Sequence, residues 1–137
     1  MRRAVAALAA LAVAVAGCGG SDDETGAVRA AVRAYLDAFV AGNGARTCSL
    51  MTPRTQAEFV KGARPLARTD DCARAVIAVR RAAGTRAIDA MRDARISNVK
   101  VDGLTATAVL TASSGQSIAT LAKERGRWRV SSTVGAK

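Results

Sequence analysis

Apolar residues recur at two different spacings along this chain, and the change from one to the other comes near residue 94. Up to that point the spacing is helical. Val28, Val32, Tyr35 and Phe39 fall at i, i+4, i+7 and i+11, joined by Ala31, Leu36 and Val40, which predicts an amphipathic helix from Gly26 to about Ala41 with Thr25 as its cap. Gly42-Asn43-Gly44 is a stop signal. A short second helix is predicted over Ala45 to Met51. A third is predicted over Pro53 to Lys61, with Thr52 before proline reading as a cap followed by the first helical position. Cys72, Val76, Val79 and Ala83 form the stripe of a fourth helix, which starts near Asp70-Asp71 and ends at Gly84. Residues 85–93 fit either a short helix or a loop.

From Ala94 the period is two. Ala94–Val101, Leu104–Ala112, Gln116–Glu124 and Arg127–Val134 are predicted strands, separated by the turn signals Asp102-Gly103, Ser113-Ser114-Gly115 and Arg125-Gly126. Leu104, Ala106, Ala108 and Leu110 share one face of the second strand; Thr105, Thr107, Val109 and Thr111 share the other. Helices followed by an antiparallel meander give an α+β fold with the helices on one face of a curved sheet. Only Tyr35, Phe39, Phe59 and Trp128 are aromatic, so a large aromatic-lined cofactor cavity is not expected.

The first 17 residues belong to neither pattern. Arg2-Arg3 precede an uncharged run from Ala4 to Ala16, too short for a membrane span, which needs about 20 residues, but suited to a signal peptide. The run ends Val15-Ala16-Gly17-Cys18, which resembles the lipobox of bacterial lipoproteins. That resemblance implies cleavage before Cys18, diacylglycerol on its thiol, fatty acylation (palmitate) of the new amino terminus, and export to the outer face of the cell membrane. Two or three acyl chains, at about 0.8 kcal/mol per buried methylene, anchor stably. The chain then divides into a signal peptide at 1–17, a lipidated cysteine with a flexible acidic tether at 18–25, and one domain at 26–137.

Removing Arg2 and Arg3 from 21 basic residues leaves 19 against 11 acidic ones, a mature charge of +8. Export, and arginines scattered rather than gathered beside aromatics, argue against nucleic acid as a partner. A cationic domain near anionic lipid gains about 1 kcal/mol per basic residue close to the surface. Cys48 and Cys72 are predicted to pair in an oxidising compartment; two unpaired buried cysteines are the alternative. With no histidine in the chain, two cysteines without partner ligands give no metal site, and no cofactor motif is present.

Tyr35-Leu36-Asp37-Ala38-Phe39 leading to Gly42-Asn43-Gly44, and Val99-Lys100-Val101-Asp102-Gly103 leading to Lys123-Glu124-Arg125-Gly126-Arg127-Trp128, resemble the nuclear transport factor 2-like superfamily and its small actinobacterial-type lipoproteins. The resemblance spans about Gly26 to Val134. It implies a cone in which the sheet wraps the first helix, with a pocket at the open end. Tyr35, Phe39, Phe59, Met91, Leu110 and Trp128 become candidates to line core or pocket. It also implies pairing into homodimers through the outer face of the sheet.

Fold does not fix function. The absence of histidine, of a nucleophile motif and of a phosphate loop favours a non-catalytic domain that binds a small apolar ligand or an envelope protein. The competing reading is an enzyme of the isomerase, dehydratase or polyketide-cyclase type. It would need a buried carboxylate as base, for which Asp37 and Asp89 are the candidates, with Tyr35 as a hydroxyl.

Overall fold

The structure, a computed structural model, describes residues 20–135, so the expected signal peptide and the expected lipidation site, Cys18, lie outside the described residues. Four helices, α1 (Gly20–Val40), α2 (Gly44–Ser49), α3 (Pro53–Ala63) and α4 (Cys72–Arg92), precede four strands, β1 (Arg95–Asp102), β2 (Thr105–Ala112), β3 (Gly115–Glu124) and β4 (Arg127–Gly135). The strands form one antiparallel sheet in the order β1-β2-β3-β4. The helices therefore pack against a meander, the α+β arrangement that the change of period predicts.

The local signals act as their chemistry requires. At the end of α1 the Gly42 N–H donates to Phe39 and the Asn43 N–H to Ala38, with Gly42 at φ 72°, a left-handed position suited to glycine. The Asn43 side chain then accepts from the Arg46 N–H and caps α2. Thr52 and Asp71 cap α3 and α4 in the same way. Asp102-Gly103 and Arg125-Gly126 turn the two outer hairpins.

Two boundaries differ from the sequence expectation. The stretch expected to be a flexible tether is helical from Gly20, so α1 begins six residues before Gly26. Asp22 and Asp23 sit in its first turn, where the helix dipole favours negative charge. Glu24 fixes that turn to the sheet: its carboxylate accepts from the Lys123 ammonium at 2.6 Å and from the Trp128 indole N–H at 2.8 Å. The Lys123 ammonium also lies 5.6 Å from the Trp128 ring centre. The second difference is α4, which does not end at Gly84. That residue, at φ 77° and ψ 166°, is a kink, and residues 85–92 resume the helix.

Two clusters make the core. Val28, Val32 and Leu36 of α1 pack on Ala106, Ala108, Leu110, Ala119, Leu121, Trp128 and Val130 of the sheet. Alanine at three of those sheet positions lets the helix lie close. The second cluster, Phe39, Cys48, Met51, Val76 and Ile88, joins the helices to one another. Tyr35 and Met91 touch both. The Cys48–Cys72 disulfide links α2 to the start of α4. The helices approach so closely there that a Cβ on Gly44 would lie 2.4 Å from the Ala73 carbonyl oxygen.

The arginines that gave the sequence its charge have structural work. Arg80 donates to the Val40 carbonyl at the end of α1, at 2.8 Å. Arg29 and Arg33 donate to the carbonyls of Ile96 and Ala94 at the start of the edge strand β1, which blunts that edge. Strand β1 also carries a bulge between Ser97 and Lys100, with Asn98 at φ 47°, and β4 carries one opposite Thr120 and Leu121. Bulges bend strands, and these two bend the sheet's outer strands.

The Glu24 contacts hold its carboxyl below the ordinary glutamate range, the Lys123 hydrogen bond first and the Trp128 bond second, against partial desolvation. A carboxylate whose folded pKa is depressed contributes stability above its unfolded pKa and loses it as pH falls through the folded value. Glu24→Gln is therefore expected to melt below the parent at neutral pH. The gap should close as pH falls through the depressed folded value, where the parent's carboxylate protonates. Paired melting curves across that range test it; a gap that stays constant into acid would show that the charge plays no part.

Candidate functional site

A cavity of about 510 Å³ opens at the seam between the two core clusters. Three elements supply its apolar walls. Helix α1 contributes Tyr35, Leu36 and Phe39 from the stripe that also faces the sheet. Phe59 reaches in from α3, and α4 supplies Val79 before its kink and Ala87, Ala90 and Met91 after it. Leu110 and Ala112, on the inward face of β2, close the far side. The polar lining is local: Ser114, Gly115, Gln116 and Ser117 from the β2–β3 turn and the start of β3, with Thr133 of β4.

Tyr35, Phe39, Phe59, Met91 and Leu110 thus meet in one cavity. Trp128 does not join them. It lies buried at the other end of the sheet, with its indole held by Glu24. Burial pushes the Tyr35 phenol above its ordinary pKa, so it stays protonated and can donate or accept a hydrogen bond. No buried side-chain nitrogen or oxygen among the described residues lacks a hydrogen-bond partner.

No residue lining this cavity is charged. Asp37 is 62% exposed and faces Arg33 at 3.9 Å; Asp89 is 51% exposed and pairs with Arg92 at 2.5 Å. Both carboxylates sit on the outward faces of their helices, away from the lining. Among the described residues, no three histidine, cysteine or acidic side chains cluster as a metal would require. A hollow of about 540 Å³ beside the disulfide is lined by Gln56, Lys61, Arg64 and Asp70 among others; it is an open surface groove. The deeper, predominantly apolar cavity at the seam is the better ligand site.

The sequence reading missed the polar rim and the part of α4 after the kink. Ser113-Ser114-Gly115 signals a turn, and nothing in its composition distinguishes a turn that also borders a cavity. Ala87 and Ala90 were hidden in the stretch whose helix could not be assigned. Their 3.6-residue spacing with Ile88 and Met91 was the available signal.

No curated protein and no solved structure matches the chain. The family comparison finds a match over residues 23–134, to a nuclear transport factor 2-like α+β family described as "Putative lumazine-binding". That span starts in the first turn of α1 and ends in β4, so it takes in every element that lines the cavity. With most of its length inside the match, the chain belongs to this family.

Proposed function

We propose that this chain is an exported domain, held to the outer face of the cell membrane by lipid on Cys18, that binds a small neutral ligand in the seam cavity and carries out no chemistry on it. The observation that carries the reading is the uncharged lining, in a chain of formal charge +10 with 23% charged residues. A charged ligand would meet no counter-charge there, and transferring it from water would be costly. A neutral ligand with a flat apolar body meets the phenyl rings of Phe39 and Phe59 and the side chains of Leu110 and Met91. The Tyr35 and Ser117 hydroxyls, which line the same cavity, offer hydrogen bonds to an amide-like edge.

Lumazine, the ligand in the family's description, is a neutral heteroaromatic bicycle with such an edge, and molecules of that class are the first to try. The isomerase or cyclase reading has less support, because Asp37 and Asp89 face solvent. Among the described residues no helix is long and apolar enough to cross a membrane.

A thermal-shift panel tests the reading. It sets neutral bicyclic heteroaromatics, lumazine included, against carboxylated and phosphorylated analogues of similar size. At 100 times its Kd a ligand stabilises the fold by about 2.7 kcal/mol, which for a domain of this size raises Tm by about 10 °C. The neutral members should produce such a shift and the anionic ones should not. A shift confined to the anions would sink the proposal.

A further inference from the structure

We infer that the cavity opens away from the membrane, so its ligand is a water-borne molecule and not a lipid drawn from the anchoring bilayer. The inference rests on the reading that Cys18 carries the lipid. Cys18 is two residues from Gly20, where α1 begins, a separation of at most about 7 Å even for extended chain. The first turn of α1 cannot swing freely, because Glu24 ties it to Lys123 and Trp128. The Lys123 N–H in turn donates to the Leu104 carbonyl at 2.8 Å. One end of the domain therefore holds the start of α1, the β1–β2 turn and the β3–β4 turn together, next to the anchor.

The cavity is at the opposite end. At 1.5 Å per residue, Tyr35 lies about 22 Å along α1 from Gly20, and Phe39 about 28 Å. The β2–β3 turn, which supplies Ser114 and Gln116 to the cavity, is a full strand length from Leu104, about 30 Å. At the anchor end Leu104 is 68% exposed, the most exposed of the large apolar side chains among the described residues. Set beside a lipid anchor it gives a second point of contact with the bilayer, and two points hold the domain upright where one would let it swing. Charges at this end are mixed, with Asp22, Asp23 and Asp102 near Lys100, Arg125 and Arg127. Attachment geometry, not lipid charge, then sets the orientation.

The test uses the mature lipidated chain in phosphatidylcholine vesicles whose headgroups carry a spin-label quencher. A fluorophore is coupled to Leu104→Cys in one variant and to Ser113→Cys in the other; both positions are exposed. The Leu104→Cys probe should be quenched several-fold more strongly than the Ser113→Cys probe. Equal or reversed quenching on vesicle-bound protein overturns the orientation while leaving the anchor intact. A chain that does not float with the vesicles overturns the anchor, and the orientation with it.

Discussion

Replacing Cys48 and Cys72 together by alanine is expected to lower the stability of the domain by about 3–4 kcal/mol, and its Tm by about 10–15 °C. The bond joins residues 24 apart in sequence. In the chain-entropy account, closing a loop of about that length removes about 3.5 kcal/mol of conformational entropy from the unfolded chain. The link also falls where the fold needs help. Helix α2 has six residues, too few to be stable alone, so its Asn43 cap and its packing on α1 and α4 must hold it. Urea unfolding reads both the size and the cause. Loss of a cross-link should lower the midpoint and raise the slope, because the freed unfolded chain exposes more surface. A midpoint shift worth less than about 1 kcal/mol would mean that packing of α2 on α4, including the close approach at Gly44, holds the pair without the bond.

That bond was legible as a pair of cysteines in a chain whose first residues resemble an export signal, and so was most of the architecture. The helical stripe Val28-Val32-Leu36 and the alternation Ala106-Ala108-Leu110 each mark a buried face, and the two faces meet in the core. Periodicity reports burial, so it finds elements whose burial is one-sided. It could not find the start of α1. Gly19 to Glu24 has the composition of a solvated tether, and what makes its latter part helical is a contact with residues a hundred positions away, Lys123 and Trp128. Gly84 misled for a related reason. A glycine at positive φ usually ends a helix, but here Ile88 and Ala90 are buried beyond it and draw the chain back into helical form.

The cavity was half legible. Tyr35, Phe39, Met91 and Leu110 are the larger residues of inward-facing stripes, and a place where such stripes converge without enough volume to fill it becomes a cavity. The alanine content supplies the deficit: Ala87, Ala90, Ala94 and Ala112 all face it. Trp128 sits on an equally inward face but at the end of the sheet beside the start of α1. Position along a strand, which the alternation of faces does not encode, decides whether an inward residue meets core or cavity.

Since alanines leave the space, a large side chain in place of one should close it. Ala87→Trp is expected to weaken ligand binding at least 100-fold, about 2.7 kcal/mol, with the Tm of the free protein changed by no more than a few degrees. Ala87 is half-buried on the resumed part of α4 and borders the cavity, so an indole there can enter open volume instead of displacing packed neighbours. The cost to the helix is small, since tryptophan is only about half a kcal/mol poorer than alanine. The same substitution at Ile118, exposed on the outer face of the sheet, should leave affinity unchanged. Asp37→Asn and Asp89→Asn should leave it unchanged as well. Titration calorimetry with a ligand identified by its thermal shift measures all four variants. If Ala87→Trp binds as the parent does, the seam cavity is not the ligand site. If Ile118→Trp is the variant that fails, binding belongs to the outer sheet face and depends on a second molecule docked there. A carboxylate variant that binds normally but no longer converts its ligand would return the enzyme reading to first place, with that residue as its base.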